Sequence, residues 1–214
     1  RSRDPLKQVG KTVGGIPVEP RCITAIVGEI RSKLRIRASD RVFELCCGNG
    51  IITTQLARYC ASITALDFSE PLIEIARTQF SAPNITYVVG NAIDLNSPSP
   101  IAKFDKIFMY EALQHFSPSE VDALFAAIVS SPIGRVPVFL GSIPDAARLR
   151  YFYNTEERYK QHIDHLAKGT ELIGTWWRKD DLLALAAKHG YRARVLDQDL
   201  ELHTSHYRFD LSCE

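Results

Sequence analysis

Two spacings of apolar residues alternate along most of this chain. Ile23, Ile26, Val27, Ile30 and Leu34 recur every three or four positions, which predicts an amphipathic helix over about 19–34. Ahead of it, 6–20 carries Gly10, Gly14, Gly15, Pro17 and Pro20 and reads as an irregular arm. From Asp40 the spacing changes. Arg41-Val42-Phe43-Glu44-Leu45-Cys46 is a short apolar run of strand type, separated by Gly48 and Gly50 from a helical stretch over 51–59. Further strands are expected at 62–66, 85–89, 104–109 and 136–140, and further helices at 70–80 and 121–129. The last third differs. Residues 145–172 read as helical and rich in Tyr and charge, and 178–189 as a helix stopped by Gly190. Residues 191–196 and 207–211 read as strands, too close in sequence for a helical crossover, so they should pair antiparallel.

Strands alternating with helices at this spacing imply βαβ crossovers, an α/β class and a doubly wound, mostly parallel sheet with helices on both faces. Such sheets bind ligands outside the carboxyl ends of their strands. The residues of interest are therefore 46–50, 67–69, 90–93 and 110–115. At 214 residues the chain fits one domain with elaborations. These are an N-terminal arm and helix (1–36), a binding core (40–141), a helical cap (145–177) and a C-terminal helix and hairpin (178–214).

Charge and cysteine content narrow the picture slightly. Lys plus Arg is 26 and Asp plus Glu is 25, a net charge of +1 with no long basic run, which argues against a nucleic-acid acceptor. Cys22, Cys46, Cys47, Cys60 and Cys213 are odd in number and irregular in spacing, which fits reduced thiols in a cytoplasmic protein and no metal site. No apolar stretch approaches the length that spans a bilayer, and no secretory signal is visible. Residues 1–4 read as a trimmed start, leaving room for an upstream segment.

Four strand exits carry candidate chemistry. Glu44-Leu45-Cys46-Cys47-Gly48-Asn49-Gly50 joins a strand to a helix, and its glycines allow unusual backbone angles and close approach of a ligand. Asp67, in Ala65-Leu66-Asp67-Phe68-Ser69, stands where an acid accepts from ribose hydroxyls, although Asp67 or Ser69 can equally cap the next helix. Asn91-Ala92-Ile93 ends the third strand, where a polar side chain can accept from an adenine amino group or simply form a surface turn. The fourth strand runs into Tyr110-Glu111-Ala112-Leu113-Gln114-His115-Phe116 over the centre of the sheet.

Together these positions resemble the motif series of class I S-adenosylmethionine-dependent methyltransferases, over roughly 41–140. Glu44, Gly48 and Gly50 match that family's acidic-x-x-x-Gly-x-Gly motif, Asp67 its ribose-binding acid, and Asn91 the position of its usual Asp. Cys46 stands where many members have another glycine. The resemblance implies a Rossmann-like methyltransferase fold of seven strands with an antiparallel C-terminal strand. It implies S-adenosylmethionine as methyl donor, bound by Glu44, Cys46, Gly48, Asn49, Gly50, Asp67, Phe68, Asn91, Ala92, Ile93 and Tyr110. It also places the chain near small-molecule methyltransferases, some of which modify sugars of bacterial surface polysaccharides. A dinucleotide reading fits less well, because Gly50 is followed by Ile51, Ile52 and Thr53 and the third glycine is missing.

The acceptor is expected to be a small molecule or glycan methylated at oxygen, which calls for a general base. His115 and Glu111 after the fourth strand, and His203 and His206 between the last two strands, are the candidates, with Asp145 after the fifth strand as another. His162 and His165 read as an exposed helix face. Tyr151, Phe152, Tyr153, Tyr159, Trp176 and Trp177 concentrate aromatic surface in the cap, and the arm around Gln8–Gly15 is expected to lie over the donor as a lid or to be a flexible lead-in. A catalytically inactive binding domain, a homo-oligomer and a larger multidomain context all stay open.

Overall fold

The computed structural model describes residues 3–95, 104–131, 134–171 and 173–214. Seven strands form one sheet: β1 (Arg41–Leu45), β2 (Ser62–Asp67), β3 (Ile85–Val89), β4 (Lys106–Tyr110), β5 (Val138–Pro144), β6 (Ala193–Asp197) and β7 (Arg208–Cys213). Their order is β3-β2-β1-β4-β5-β7-β6. All neighbours run parallel except that β7 is antiparallel to both β5 and β6. The chain moves outward from β1 to β3 and then returns to its other side with β4. The carboxyl ends of β1 and β4 therefore face a crevice where the winding reverses, which is where open α/β sheets bind ligands.

Burial explains the strand pattern. Val42, Phe43, Glu44 and Leu45 of β1 are all buried, as central parallel strands require when helices cover both faces. One face packs under α1 (Pro20–Lys33), α2 (Ile51–Leu56) and α3 (Glu70–Gln79), through Ile23, Ile30, Ile52, Leu56 and Ile73. The other packs under α4 (Pro118–Ser130) and α6 (Lys179–Lys188), through Leu124, Phe125, Ile128, Leu182 and Ala186. Each fully buried aliphatic side chain here contributes about 1.5–3 kcal/mol. No helix among the described residues is long and apolar enough to cross a membrane.

Several boundaries differ from expectation for identifiable reasons. The fifth strand begins at Val138, because Pro137 has no N–H to give the ladder. It runs on to Pro144 by pairing with β7 across a register shift between Leu140 and Ile143. The fourth ends at Tyr110, one residue later than the spacing suggests, and Phe104 ahead of it stacks on Phe43 with ring centroids 4.7 Å apart. α4 starts at Pro118, because Ser117 and Glu120 form a reciprocal capping box. The stretch expected as one helix over 145–172 is broken. A tight turn at Ala146–Arg148 and a single helical turn at Leu149–Phe152 precede α5 (Glu156–Ala167), which Thr155 caps. Residue 172, the expected end of that helix, and residues 1–2 of the expected trimmed start lie outside the described residues. The arm is ordered into one helical turn, Pro5–Gln8, and a small hairpin pairing Thr12–Val13 with Ile16–Pro17.

The end of the cap clasps the fourth strand exit. Thr175 donates its N–H to Gln114 O (2.8 Å) and its hydroxyl to Phe116 O (2.9 Å), and Trp177 Nε1 donates to Leu113 O (3.2 Å). Gly174 makes this approach possible: its φ is +90°, and a Cβ there would lie 2.3 Å from the Gln114 carbonyl oxygen. Gly174→Ala is expected to destabilise the protein by about 2–4 kcal/mol in urea denaturation, from left-handed strain plus backbone overlap. An unchanged midpoint would show that the clasp does not hold the turn.

Candidate functional site

The first strand exit folds as it does because three residues take left-handed angles. Cys46 has φ +58°, Gly48 +58° and Gly50 +81°. A side chain at Gly48 would meet Val9 Cγ1 at 2.9 Å, and one at Gly50 would meet the Tyr87 hydroxyl at 2.5 Å. Cys46 takes this conformation without glycine's freedom, at a cost of about 1–2 kcal/mol. Adjacent exits are tied together. Gly48 donates its N–H to Asp67 Oδ2 (2.8 Å), Ser69 donates to Asp67 Oδ1 (2.9 Å), and Gly90 donates to the Asp67 carbonyl (3.0 Å). Asp67 thus closes a turn onto Ser69 ahead of α3, neither side chain caps the helix itself, and each Asp67 carboxylate oxygen keeps a lone pair free.

These exits enclose a cavity of about 650 Å³, within the range of small-ligand sites. Glu44, Cys46, Gly48, Asn49, Asp67, Phe68, Asn91, Ala92, Ile93 and Tyr110 all line it, as do Glu111 and His115. Gly50 does not; it faces Tyr87 and shapes the entry to α2. Phe68 stands 78% exposed at the rim and so offers an open aromatic face. Asn91 Oδ1 accepts from Ile93 N at 3.2 Å, closing a local turn. The Asn49 side chain reaches the arm, donating to Pro5 O (2.8 Å) and Gln8 Oε1 (3.0 Å).

Buried titratable groups are perturbed here. Burial raises the Glu44 carboxyl to about 8, with Asp67 adding to the shift, and Glu44 Oε2 has no hydrogen-bond partner. The Cys46 thiol is pushed up to about 12 by burial and by the nearby carboxylates Asp67 and Glu44, so it is no thiolate nucleophile.

The arm closes one side. Val9 covers Gly48, and Lys11, only 4% exposed, lines the cavity and forms an ion pair with Glu111. Burial would raise the Glu111 carboxyl, but Lys11 and Arg208 outweigh it and hold it at about 2. Glu111 has φ +54°, and beside it Ser142 has φ +60° and donates its hydroxyl to Glu111 Oε1 (3.4 Å). His115 is held below its usual range by burial and by the Arg208 cation.

The other candidates lie elsewhere. His203 and His206 do not line the cavity, although His203 is near enough to Glu111 and Lys11 to feel both; His206 is exposed, edge-on to the Tyr207 ring. Asp145 is buried against Lys179 (2.9 Å) and Arg148 (3.4 Å). His162 is buried, with Nδ1 2.9 Å from Glu171 Oε1, whereas His165 is half-buried against Thr170. No cluster of three or more His, Cys, Asp or Glu able to hold a metal ion occurs among the described residues. Lys11, Ser142 and Arg208 carry no local motif. Only the tertiary approach of the arm and of β7 brings them here.

Comparison with known proteins agrees with this geometry. The family described as a methyltransferase domain matches residues 42–131. Demethylmenaquinone methyltransferase of Tropheryma whipplei is 30% identical over 171 residues, 74% of this chain and 69% of that protein. An uncharacterized methyltransferase of Synechocystis is 32% identical over 95 residues, 44% of this chain but only 43% of that protein's length. Among solved structures, magnesium protoporphyrin IX methyltransferase of Synechocystis with bound S-adenosylhomocysteine superposes with a TM-score of 0.64 over 91% of this chain and 82% of that one, at 16% identity. With its seven-stranded sheet, its glycine bend and a relative matched over more than two thirds of its length, the chain belongs to the class I S-adenosylmethionine-dependent methyltransferases.

Proposed function

We propose that this protein methylates an oxygen of a small-molecule acceptor, with His115 as general base. The observation that carries this reading is the placement of His115. It stands exposed to the same cavity that the glycine bend and Asp67 line, and its pKa is held below the usual histidine range, which favours the neutral imidazole. The acceptors named for two relatives, demethylmenaquinone and magnesium protoporphyrin IX, are small molecules and support that class over a glycan.

The chain's own residues fit the donor. Asp67 has lone pairs left for ribose hydroxyls. Gly48 and Val9 line the cavity at the bend, and Phe68 and Asn91 offer a ring face and an amide for the adenine. The buried Glu44 carboxyl, largely protonated near neutral pH, also lines the cavity, and its Oε2 has no partner within the protein. When bound, S-adenosylmethionine supplies an electrophilic methyl group on a sulfonium sulfur. The protein's part is then chiefly to hold the acceptor oxygen in line with that carbon and to exclude water. As the oxygen takes the methyl group, the unprotonated ring nitrogen of His115 takes the hydroxyl proton. Glu111 suits this task less, because its carboxylate is committed to Lys11 and binds a proton only in strong acid.

Calorimetry with S-adenosylhomocysteine is expected to show binding that Asp67→Asn weakens about 10- to 100-fold, the range for a charged hydrogen bond. Asn keeps only one of the two acceptors that hold the Gly48 and Ser69 amides, so stability should also fall, by about 1–3 kcal/mol, and the affinity is compared at a temperature where the variant stays folded. Undiminished affinity would remove Asp67 from the donor site.

With a panel of phenolic and enolic acceptors, His115→Gln is expected to lower kcat about 10²- to 10⁴-fold while donor affinity is unchanged. Because the His115 pKa is lowered, its neutral form persists below the usual histidine range. The wild-type rate should therefore fall only when pH drops beneath that range, and this limb should vanish in the variant. Equal rates, or a pH limb unaltered by the substitution, would reassign the base.

A further inference from the structure

The cap buries a carboxylate outside the cavity lining. The Glu171 side chain is 8% exposed, and among the described residues no lysine or arginine lies within ion-pair distance of it. Hydrogen bonds hold it instead. Its Oε1 takes the Tyr153 hydroxyl and lies 2.9 Å from His162 Nδ1, and its Oε2 takes the amides of Ile173 and Gly174 (2.7 Å). Tyr153 and His162 are themselves buried, with ring centroids 4.3 Å apart, so one side of the carboxylate is anchored in the body of the cap. Burying a carboxylate costs free energy, and an apolar side chain would fill the same space without that cost.

The other side of the carboxylate leads to the cavity. Gly174, held by Glu171, lies directly against the Gln114 carbonyl. Thr175 bonds Gln114 O and Phe116 O, and Trp177 Nε1 bonds Leu113 O. These three carbonyls flank His115 on both sides, and the His115 amide itself donates to Ala112 O (2.9 Å). The turn that carries His115 into the cavity wall is therefore gripped by the clasp, and the clasp starts from the two amides on Glu171.

We propose that Glu171 is a positioning residue for methyl transfer: it fixes the start of the clasp, and the clasp holds the His115 ring in its place in the cavity wall. The inference rests on reading His115 as the base, but the placement of the ring is measurable without turnover. Glu171 does not line the cavity and acts only through the backbone of 173–177.

Side-chain NMR of His115 across a pH titration tests it, with the signal assigned by its absence in His115→Gln. Partial desolvation and the Arg208 cation hold the His115 pKa below the usual histidine range. A loosened turn lets the ring into water and away from Arg208, whose Nη1 bonds Gln114 Oε1 at 3.4 Å, so the pKa should rise toward the ordinary value in Glu171→Ala and Glu171→Met. Loss of the Glu171 charge by itself acts the other way, because removing an anion disfavours the imidazolium. Glu171→Gln can accept both amides through its oxygen and donate from its nitrogen to Tyr153 and His162, so it should not raise the pKa. With the phenolic and enolic panel, Glu171→Ala should lower kcat about 10- to 100-fold at unchanged donor affinity, and should add nothing in the double variant with His115→Gln. Four results would overturn the inference: a His115 pKa unmoved or lowered in the Ala and Met variants, a rise shared by Glu171→Gln, an equal kcat loss with and without His115, or failure of both Ala and Met variants to fold. If only Glu171→Ala fails to fold, Glu171→Met decides. Unchanged kcat in His115→Gln would instead fault the base assignment, and the NMR titration would still decide what holds the ring.

Discussion

The hydrogen bond from the Gly48 amide to Asp67 Oδ2 is the constraint on which the donor half of the cavity depends. It joins the exits of β1 and β2, which would otherwise be independent loops. Asp67 also takes the Ser69 amide and, through its carbonyl, the Gly90 amide, so three consecutive exits are held in one frame. The bend can approach Asp67 only because Gly48 and Gly50 reach left-handed angles and leave no Cβ in the way of Val9 and Tyr87. Glu44 lies beneath this frame, buried and largely uncharged near neutral pH, so its unpartnered oxygen is tolerated without the full penalty of a buried charge.

The half we assign to the acceptor is held differently. Left-handed non-glycine residues sit at the carboxyl ends of three adjacent strands: Cys46 after β1, Glu111 after β4, and Ser142 at the register shift of β5. Backbone strain of this kind persists where surroundings over-determine it, and it gathers at functional sites. Here the surroundings are visible. Lys11 holds Glu111 from the arm, Asp210 Oδ1 accepts the Ser142 amide at 2.7 Å from β7, and Arg208 takes the Ser142 carbonyl. The arm and the antiparallel last strand, both outside the parallel core, thus complete the site that the core begins.

Much of the core was legible because its signals are local. Strand runs such as 41–45 and 85–89, the glycine bend and Asp67 lie where periodicity and turn chemistry place them, and the antiparallel pairing of β6 with β7 follows from the short connection. The Glu111–His115 wall of the cavity was only half legible. His115 and Glu111 follow a predictable strand, yet nothing near Lys11, Ser142 or Arg208 in sequence marks them, since each acts through a partner between 31 and 100 positions away. The break in the cap at Tyr153–Thr155 was hidden for a related reason. Helix-favouring residues flank it on both sides; Thr155 restarts the helix as a local cap, and tertiary packing adds to the stop, with Tyr153 stacked on His162 and bonded to Glu171.

A crystal structure with S-adenosylhomocysteine bound would test the central claim most directly. The account predicts density for the ribose against Asp67, the adenine near Phe68 and Asn91, and the sulfur opening toward Glu111 and His115. Nucleoside density on another face of the sheet, or a sulfur turned away from His115, would contradict it.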